Sequence, residues 1–440
     1  MFRNARIYNP KRIKHLAVYI QRQSFLTNDY KCDESWKKQT LSPTIDQINL
    51  NDFYNKIDVQ HSSKGVISAV DVDIFANAIK DASHLDELRD LLHRLRLSAE
   101  TGHTLESTHH ATIRNYIEYG NIQDLLSILK DPLNYGLFLD EFSANILLDK
   151  LIKSSDFEQA ANVAALIMLQ EDYNNEITCS LCLYACFKFI KNHTKQIEPE
   201  LIDDKKKKVD EIKIRVKFLR NPYFDDHFDI NDVYTLSGKT LAWISERNSD
   251  NLSTNLQIVG WCCYKKYDKL LIICKNFVHK PSSTIYKEVI DFLNKEINSI
   301  EGDAKSILEN CVSMLSKISH AKEPIEVAIE TMIENSINKI QNSDIKKQHQ
   351  LFQLWSNIRE QKVIEQTKRL DRAKRIEFIC QKQEDLKNEE QKLWFFENED
   401  AIDLQIEEKE TSEDIASANK KSSKKADEDY IPPEIRPMRK

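Results

Sequence analysis

Apolar residues between positions 70 and 194 recur with the spacing of α-helices, and polar or glycine breaks return at a nearly constant distance. The stripe that begins at Ile122 follows the i, i+3, i+4, i+7 pattern of one helix face. Equivalent stripes begin at Leu85 and Phe157, 37 residues before and 35 residues after Ile122. Shorter helical segments precede the three stripes at 73–80, 109–119 and 142–153. Such a recurring helix–turn–helix unit predicts an α-solenoid, whose units stack and expose a long concave surface.

The helical pattern continues beyond residue 195. Pro324 fits the first turn of a helix, where its missing N–H costs little. Further helices are predicted at 256–266, 267–277, 284–298 and 304–319.

A long charged helix is predicted from Asp344 to about Asn398, because this stretch contains no glycine or proline. Its apolar stripe begins at Leu351 and continues to Leu393 with several seven-residue steps. The heptads are too interrupted to predict a self-paired coiled coil, so we expect the helix to pack against a partner or to lie on a surface. Residues 399–440 are acidic and rich in lysine and serine, a composition typical of disorder.

These patterns predict an all-α protein in which a solenoid of helical hairpins is followed by a long C-terminal helix and a disordered tail. The predicted regions are an N-terminal targeting segment (1–28), an extension (29–69), the repeats (70–194), further hairpins (195–343), the long charged helix (344–398) and the disordered acidic tail (399–440).

The composition excludes several classes of protein. Glycine occurs only 7 times, and no two glycines have the spacing of a nucleotide-binding loop. The formal charge is −7, whereas free-standing nucleic-acid binders are usually basic, so any contact with nucleic acid must come from local basic patches. No apolar run reaches the length of a transmembrane helix, and no membrane span is expected. We interpret the 9 cysteines as reduced core residues in a reducing compartment.

The first 28 residues contain six basic residues and no acidic residue, and Asp29 is the first acid. Basic and apolar residues alternate without a long apolar core, which is typical of a mitochondrial presequence and not of a secretory signal. A basic, frayed terminus with no targeting role is the alternative. The presequence interpretation predicts the mitochondrial matrix as the location.

One unit, residues 136–168, resembles the pentatricopeptide repeat. The matching residues are Asp140, Asn145, Ala160 and Met168, whereas Leu139 replaces the proline of the motif. The Trp, Leu-Gly and Tyr signature of tetratricopeptide repeats is missing. In pentatricopeptide arrays, two or three side chains of each repeat read one RNA base. The resemblance implies that Asn145 occupies such a base-reading position.

The layout is similar to a narrower family, the pentatricopeptide-type proteins numbered twenty-seven of the animal mitochondrial small ribosomal subunit. The resemblance rests on Tyr30 and Trp36, the segment Tyr135–Phe142, the segment Met168–Glu171, and a long charged helix near Gln353–Trp355. A sister family of mitochondrial RNA-processing proteins shares the repeats but lacks that helix. The resemblance implies contact with the small-subunit rRNA and with neighbouring mitochondrial ribosomal proteins.

Two basic segments are candidates for RNA contact. Between 205 and 220, eight basic residues face only two acids, a net charge of +6 along about 24 Å of helix. Such a segment can displace counterions from RNA, although charge runs are usually solvated helix faces. The section 359–382 of the long helix is the second candidate. The candidate RNA-binding residues are Lys205, Lys206, Lys207, Lys208, Lys213, Arg215, Lys217, Arg220, Lys368, Arg369, Arg372 and Arg375.

No motif in the chain indicates catalysis or a cofactor. Cys179, Cys182 and Cys186 invite a zinc interpretation, but they fall on one apolar helix without a second ligand pair, so core packing is favoured. The histidines between 84 and 110 lack the spacing of metal ligands. No nucleophile elbow or metalloprotease motif occurs, and we expect no enzyme, no cofactor and no small-molecule substrate.

Three functions follow as hypotheses. The first is a structural protein of the mitochondrial small ribosomal subunit that supports mitochondrial translation. The second is a free mitochondrial RNA-binding factor that stabilises or matures one transcript, reading bases through positions such as Asn145. The third is a scaffold that contacts only proteins.

Overall fold

The computed structural model describes residues 24–193, 230, 232–280, 283–300 and 302–428 of the 440-residue chain. Helices dominate the described residues, and the all-α prediction is confirmed. Short 3-10 turns lie at Asn28–Lys31, Ala82–His84 and Ala99–His103. The α-helices are α1 (Asp33–Thr40), α2 (Pro43–Asp46), α3 (Leu50–Lys64), α4 (Ala69–Ala78), α5 (Leu85–Leu97), α6 (Glu106–Tyr119), α7 (Ile122–Leu129), α8 (Pro132–Tyr135), α9 (Glu141–Lys153), α10 (Phe157–Leu169), α11 (Glu176–Asn192), α12 (Val233–Glu246), α13 (Asn251–Cys263), α14 (Tyr267–His279), α15 (Lys287–Ser299), α16 (Asp303–Leu315), α17 (Ile325–Glu397) and α18 (Glu399–Glu428).

The three predicted hairpins correspond to α4 with α5, α6 with α7, and α9 with α10. Short polar side chains mark where four of these helices, α4, α7, α9 and α10, begin by accepting hydrogen bonds from the first free N–H groups. Asn121 accepts from Gln123 N at 3.1 Å to start α7, and Asp140 accepts from Ser143 N at 3.0 Å to start α9. The predicted starts agree closely for α7 and α9, whereas α4 and α6 begin four and three residues before the predicted positions 73 and 109.

Successive helices from α9 to α13 pack against one another and bury small and branched side chains. Helices α12 and α13 approach each other closely at two glycines. A Cβ atom on Gly238 would lie 2.9 Å from the carbonyl oxygen of Gly260, and a Cβ on Gly260 would lie 2.6 Å from the backbone nitrogen of Ala242. The two helix backbones are therefore in direct contact at this crossing.

Two short strands pair with each other beside α15 and α16. One strand comes just before α15, and the other comes just after α16. Strand β1 (Thr284–Ile285) pairs in parallel with β2 (Ser319–His320), and Ala321 N donates to Ile285 O at 2.8 Å. The sequence pattern predicts helix at both places. The structure differs because this pairing joins positions that are distant along the chain, which a local period does not detect.

Helix α17 begins at Ile325, well before the predicted start at Asp344. Residues 325–343 also contain no glycine or proline. Ile325, Ile329 and Ile333 are fully buried at four-residue spacing, so one helix face is anchored from its first turn.

The chain divides into two compact units, 1–361 and 362–440. The described part of the second unit consists of the remainder of α17 and of α18, and its side chains are mostly exposed. The structure differs from the predicted disorder at Glu399–Glu428, where α18 is rich in the helix formers glutamate and lysine and contains no glycine or proline. Residues 429–440 lie outside the described residues.

Candidate nucleic-acid interface

The first predicted basic segment connects α11 to α12. It contains Lys205, Lys206, Lys207, Lys208, Lys213, Arg215, Lys217 and Arg220, and all of these lie outside the residues that the structure describes. Their contact with RNA stays a prediction.

The second predicted segment lies on α17 within the second unit. Lys368, Arg372 and Arg375 are four and three residues apart, which places them on one face of the helix. Arg369 lies beside them, and all four side chains are exposed. None of the four forms an ion pair with a described residue. We call these four residues the basic strip, and their positive charge is free to meet an external anion.

Asn145 is buried inside the first unit, with none of its surface exposed. Its side-chain nitrogen donates to the Tyr30 hydroxyl at 2.9 Å. The Tyr30 ring stacks on Phe142 with ring centroids 4.7 Å apart. A tyrosine of the same chain therefore occupies the hydrogen-bonding side of Asn145, and the base-reading role of Asn145 stays a prediction.

The N-terminal segment, residues 24–40, lies along the first helices of the hairpins. Asp149 of α9 accepts from the backbone N–H groups of Phe25 at 2.8 Å and of Leu26 at 3.3 Å. Further along, Trp36 is buried, and its ring lies 5.5 Å from the ring of His110 on α6. The segment therefore packs into the array as part of its core.

Within the first unit, helix α17 contacts the helices of the array from α11 to α4, in the same direction as the N-terminal segment. Near its start, Glu330 accepts from the Tyr184 hydroxyl of α11 at 3.0 Å. Asp344 then accepts from the side chain of Asn175 at 2.7 Å, at the start of α11. Near the end of the first unit, Arg359 donates to Asp73 of α4 at 2.6 Å. The N-terminal segment and α17 together contact α4, α6, α9 and α11, and the N-terminal segment covers the side of α9 that carries Asn145.

A cavity of about 650 Å³ lies between the N-terminal segment and helices α6 and α9. Four cationic side chains line it together with the acids Asp33, Glu118 and Asp149, and Asp33 pairs with one of the cations, Arg114. The other three cations are Lys31, Lys150 and Lys153. Burial and the positive charge of Lys31 lower the pKa of Lys150. None of the three lysines forms an ion pair with a residue that the structure describes. Its lining therefore carries a small excess of positive charge, which favours anions, and we call it the cationic cavity.

The sequence interpretation missed the cationic cavity. Lys150 and Lys153 lie at i, i+3 near the end of a predicted helix, and this spacing could have indicated a shared face. Lys31 and Arg114 could not be linked to them, because their proximity depends on how the N-terminal segment packs.

The cysteine cluster on α11 is part of the core. Cys182 and Cys186 are completely buried, as the apolar spacing predicts. Burial raises the pKa of the Cys186 thiol to about 12 and that of Cys179 to about 11. These thiols stay protonated at neutral pH. Among the residues that the structure describes, no group of His, Cys, Asp or Glu is arranged to hold a metal ion.

Comparison with known families decides the identity. Residues 2–385 match the family described as mitochondrial 28S ribosomal protein S27. The chain belongs to this family. It is a mitochondrial small-subunit ribosomal protein, and the predicted resemblance to that family is confirmed. The matched region includes the hairpins, the N-terminal segment and the basic strip.

Family membership implies a structural role in place of an enzymatic one. It also supports the predicted mitochondrial location. Among the described helices, none combines the length and the apolar character that a membrane span requires.

Proposed function

We propose that this protein is a structural component that docks on the small-subunit rRNA and on neighbouring ribosomal proteins in the mitochondrial matrix, in support of mitochondrial translation. The observation that carries the rRNA contact is the basic strip, four exposed cations without ion-pair partners in the described residues. Neutralising backbone phosphates releases condensed counterions, which favours binding without any requirement for base sequence.

The covered array favours this proposal over a free factor that reads one transcript. Base reading through Asn145 would require Tyr30 to leave its stacking position on Phe142. Phosphate contact through the basic strip or the cationic cavity requires no such opening. We therefore infer that RNA is bound by its backbone, on surfaces outside the repeat positions that read bases in pentatricopeptide arrays.

Sedimentation of mitochondrial extract tests the assembly. We expect the protein to migrate with the small subunit in high magnesium and to leave that fraction after EDTA or RNase treatment. A slowly sedimenting peak in untreated extract would contradict the proposal and favour the free factor.

A matched pair of double variants tests the rRNA contact. Arg372→Gln with Arg375→Gln removes two charges of the basic strip, whereas Lys387→Gln with Lys392→Gln removes two exposed charges from the same helix outside it. Ultraviolet crosslinking of the protein to rRNA in the assembled subunit should fall severalfold for the first variant and stay near wild type for the second.

Charge reversal of Lys205–Lys208 tests the other basic segment in the same crosslinking assay. Equal crosslinking in all variants would favour a scaffold that contacts only proteins.

Asn145→Ala separates the two modes of RNA recognition. Loss of the hydrogen bond to Tyr30 should lower the free energy of unfolding by about 1–3 kcal/mol and leave the rRNA crosslinks in place. A changed pattern of crosslinked bases would instead show that Asn145 reads RNA.

A further inference from the structure

A second cavity in the first unit has the opposite charge from the cationic cavity. It has a volume of about 380 Å³ and lies where the starts of α6, α9 and α11 meet α17. Three of its carboxylates come from different elements: Glu141 from α9, Asp172 from the loop before α11, and Asp344 from α17. We call it the acidic cavity.

The acidic cavity carries an excess of negative charge. Glu106, Asp140, Glu141, Asp172 and Asp344 line it, and Lys347 is the opposing lysine among its lining residues. Asp140 is already engaged by His110, whose Nδ1 lies 3.2 Å from its carboxylate. Burial, together with the charges of Asp172 and Asp344, raises the pKa of Glu141 to about 7. Like charges that are crowded in this way are stabilised when a cation enters.

A buried polar group in the same cavity lacks a partner. Gln348 is 3% exposed, and its side-chain nitrogen donates no hydrogen bond to the described residues. His109 also has a buried Nδ1 atom without a partner there. An unpaired buried donor is costly, and it needs an acceptor such as a peptide carbonyl. A bare cation would satisfy the carboxylates and leave this donor unpaired.

The rim of the acidic cavity is aromatic. Phe138 is 50% exposed, and its ring lies 6.1 Å from that of His109. Leu351 and Trp355 of α17 line the same cavity. An aromatic face next to carboxylates suits a guanidinium or ammonium group, which stacks on the ring and pairs with the acids.

We propose that the acidic cavity receives an arginine or lysine side chain, with the peptide backbone that carries it, from a neighbouring protein of the small subunit. This rests on the proposed function, because it requires the assembled subunit. Excess negative charge repels RNA phosphates, and the described residues offer no arrangement of ligands for a metal ion. The two cavities thus face different partners, one anionic and one cationic.

Site-specific crosslinking in the assembled subunit tests the proposal. Phe138→p-benzoylphenylalanine keeps an aromatic ring at the rim and captures whatever lies within contact distance. We expect the crosslinked peptide to come from a small-subunit protein and to carry an arginine or lysine near the attachment point. Crosslinks to rRNA, or no crosslink in a subunit that contains the protein, would overturn the proposal.

Charge variants make the test specific. Glu141→Gln with Asp172→Asn should reduce the crosslink severalfold, whereas Glu158→Gln, an exposed residue of α10 outside the cavity, should leave it unchanged. Circular dichroism of each variant verifies that the fold persists. If the crosslink persists after both carboxylates are neutralised, charge does not select the partner.

Sedimentation separates the two proposals. If the Phe138 variant migrates with the small subunit but captures no basic peptide, the inference about the acidic cavity fails and the proposed function stands. If the wild-type protein does not migrate with the subunit, the proposed function itself fails, and the proposal about the cavity fails with it.

Discussion

Arg359 and Asp73 form an ion pair in the interior of the first unit, with exposed fractions of 1% and 0%. The other carboxylate oxygen of Asp73 accepts from the hydroxyl groups of Ser107 and Thr108. This network joins α4, the start of α6 and α17 at one point. Loss of a single partner leaves a charge buried and uncompensated, which costs far more than the pair itself contributes.

Replacement of Arg359 by alanine should therefore be strongly destabilising. We expect Arg359→Ala to lower the free energy of unfolding by about 3–5 kcal/mol, because Asp73 is left buried without its cation. Urea denaturation of the full-length protein measures the change. Arg372→Ala, at an exposed position of the same helix, should stay within about 0.5 kcal/mol of wild type. Equal shifts for both would mean that the pair is not buried.

Glu141 makes stability depend on pH. Burial and the nearby carboxylates Asp172 and Asp344 raise its pKa from 4.5 to about 7, against the smaller opposing effect of Lys347. Between these two values the folded state binds more protons than the unfolded state, so this contribution to stability falls as the pH rises from about 4.5 to about 7.

Glu141→Gln should remove that dependence. We expect the variant to melt at a higher temperature than wild type at pH 8 and at nearly the same temperature at pH 5, where Glu141 is protonated in the folded state. Thermal unfolding at the two pH values measures the difference, with Glu158→Gln as the control. A gain that is equal at both pH values would point to a cause other than charge.

At the scale of elements, the crossing of α12 and α13 depends on two glycines. Gly260→Ala would place a methyl group 2.6 Å from the Gly238 carbonyl oxygen and from the Ala242 nitrogen, both backbone atoms. The helices must separate to accommodate it, which we expect to cost about 1–3 kcal/mol, typical of overpacking. Chemical denaturation compares it with Gly102→Ala, where a Cβ meets nothing within 4 Å. A neutral Gly260→Ala would show that the crossing is loose.

The elements themselves could largely be predicted from the sequence. Helix α7 coincides with the apolar stripe from Ile122 to Leu129, because period and caps are local properties. The contact of Tyr30 with Asn145 could not be predicted, since it joins residues 115 positions apart. Local pattern shows that Asn145 lies on a helix, but only tertiary packing shows which group faces it.

At the scale of the whole molecule, a net charge of −7 is combined with local positive surfaces. Binding to RNA through the basic strip should therefore be sensitive to salt, because each neutralised phosphate releases counterions. We expect potassium chloride to release the wild-type protein from the subunit with a steeper dependence on concentration than the Arg372→Gln, Arg375→Gln variant. Quantitative immunoblotting of gradient fractions measures both. Parallel salt dependences would mean that the strip does not contact phosphate.

The hydrogen bond from Gln39 to the backbone of Phe352 joins positions that are 313 residues apart. At about 5–20 residues per second, synthesis of the intervening chain takes roughly 15–60 s. The hairpins rely on local contacts and can form during that interval, but the apolar surface that Phe352 later covers next to Trp36 stays exposed until then. Chaperones that recognise exposed apolar surface would act during this interval, and a chain released before Phe352 is made would be prone to aggregate.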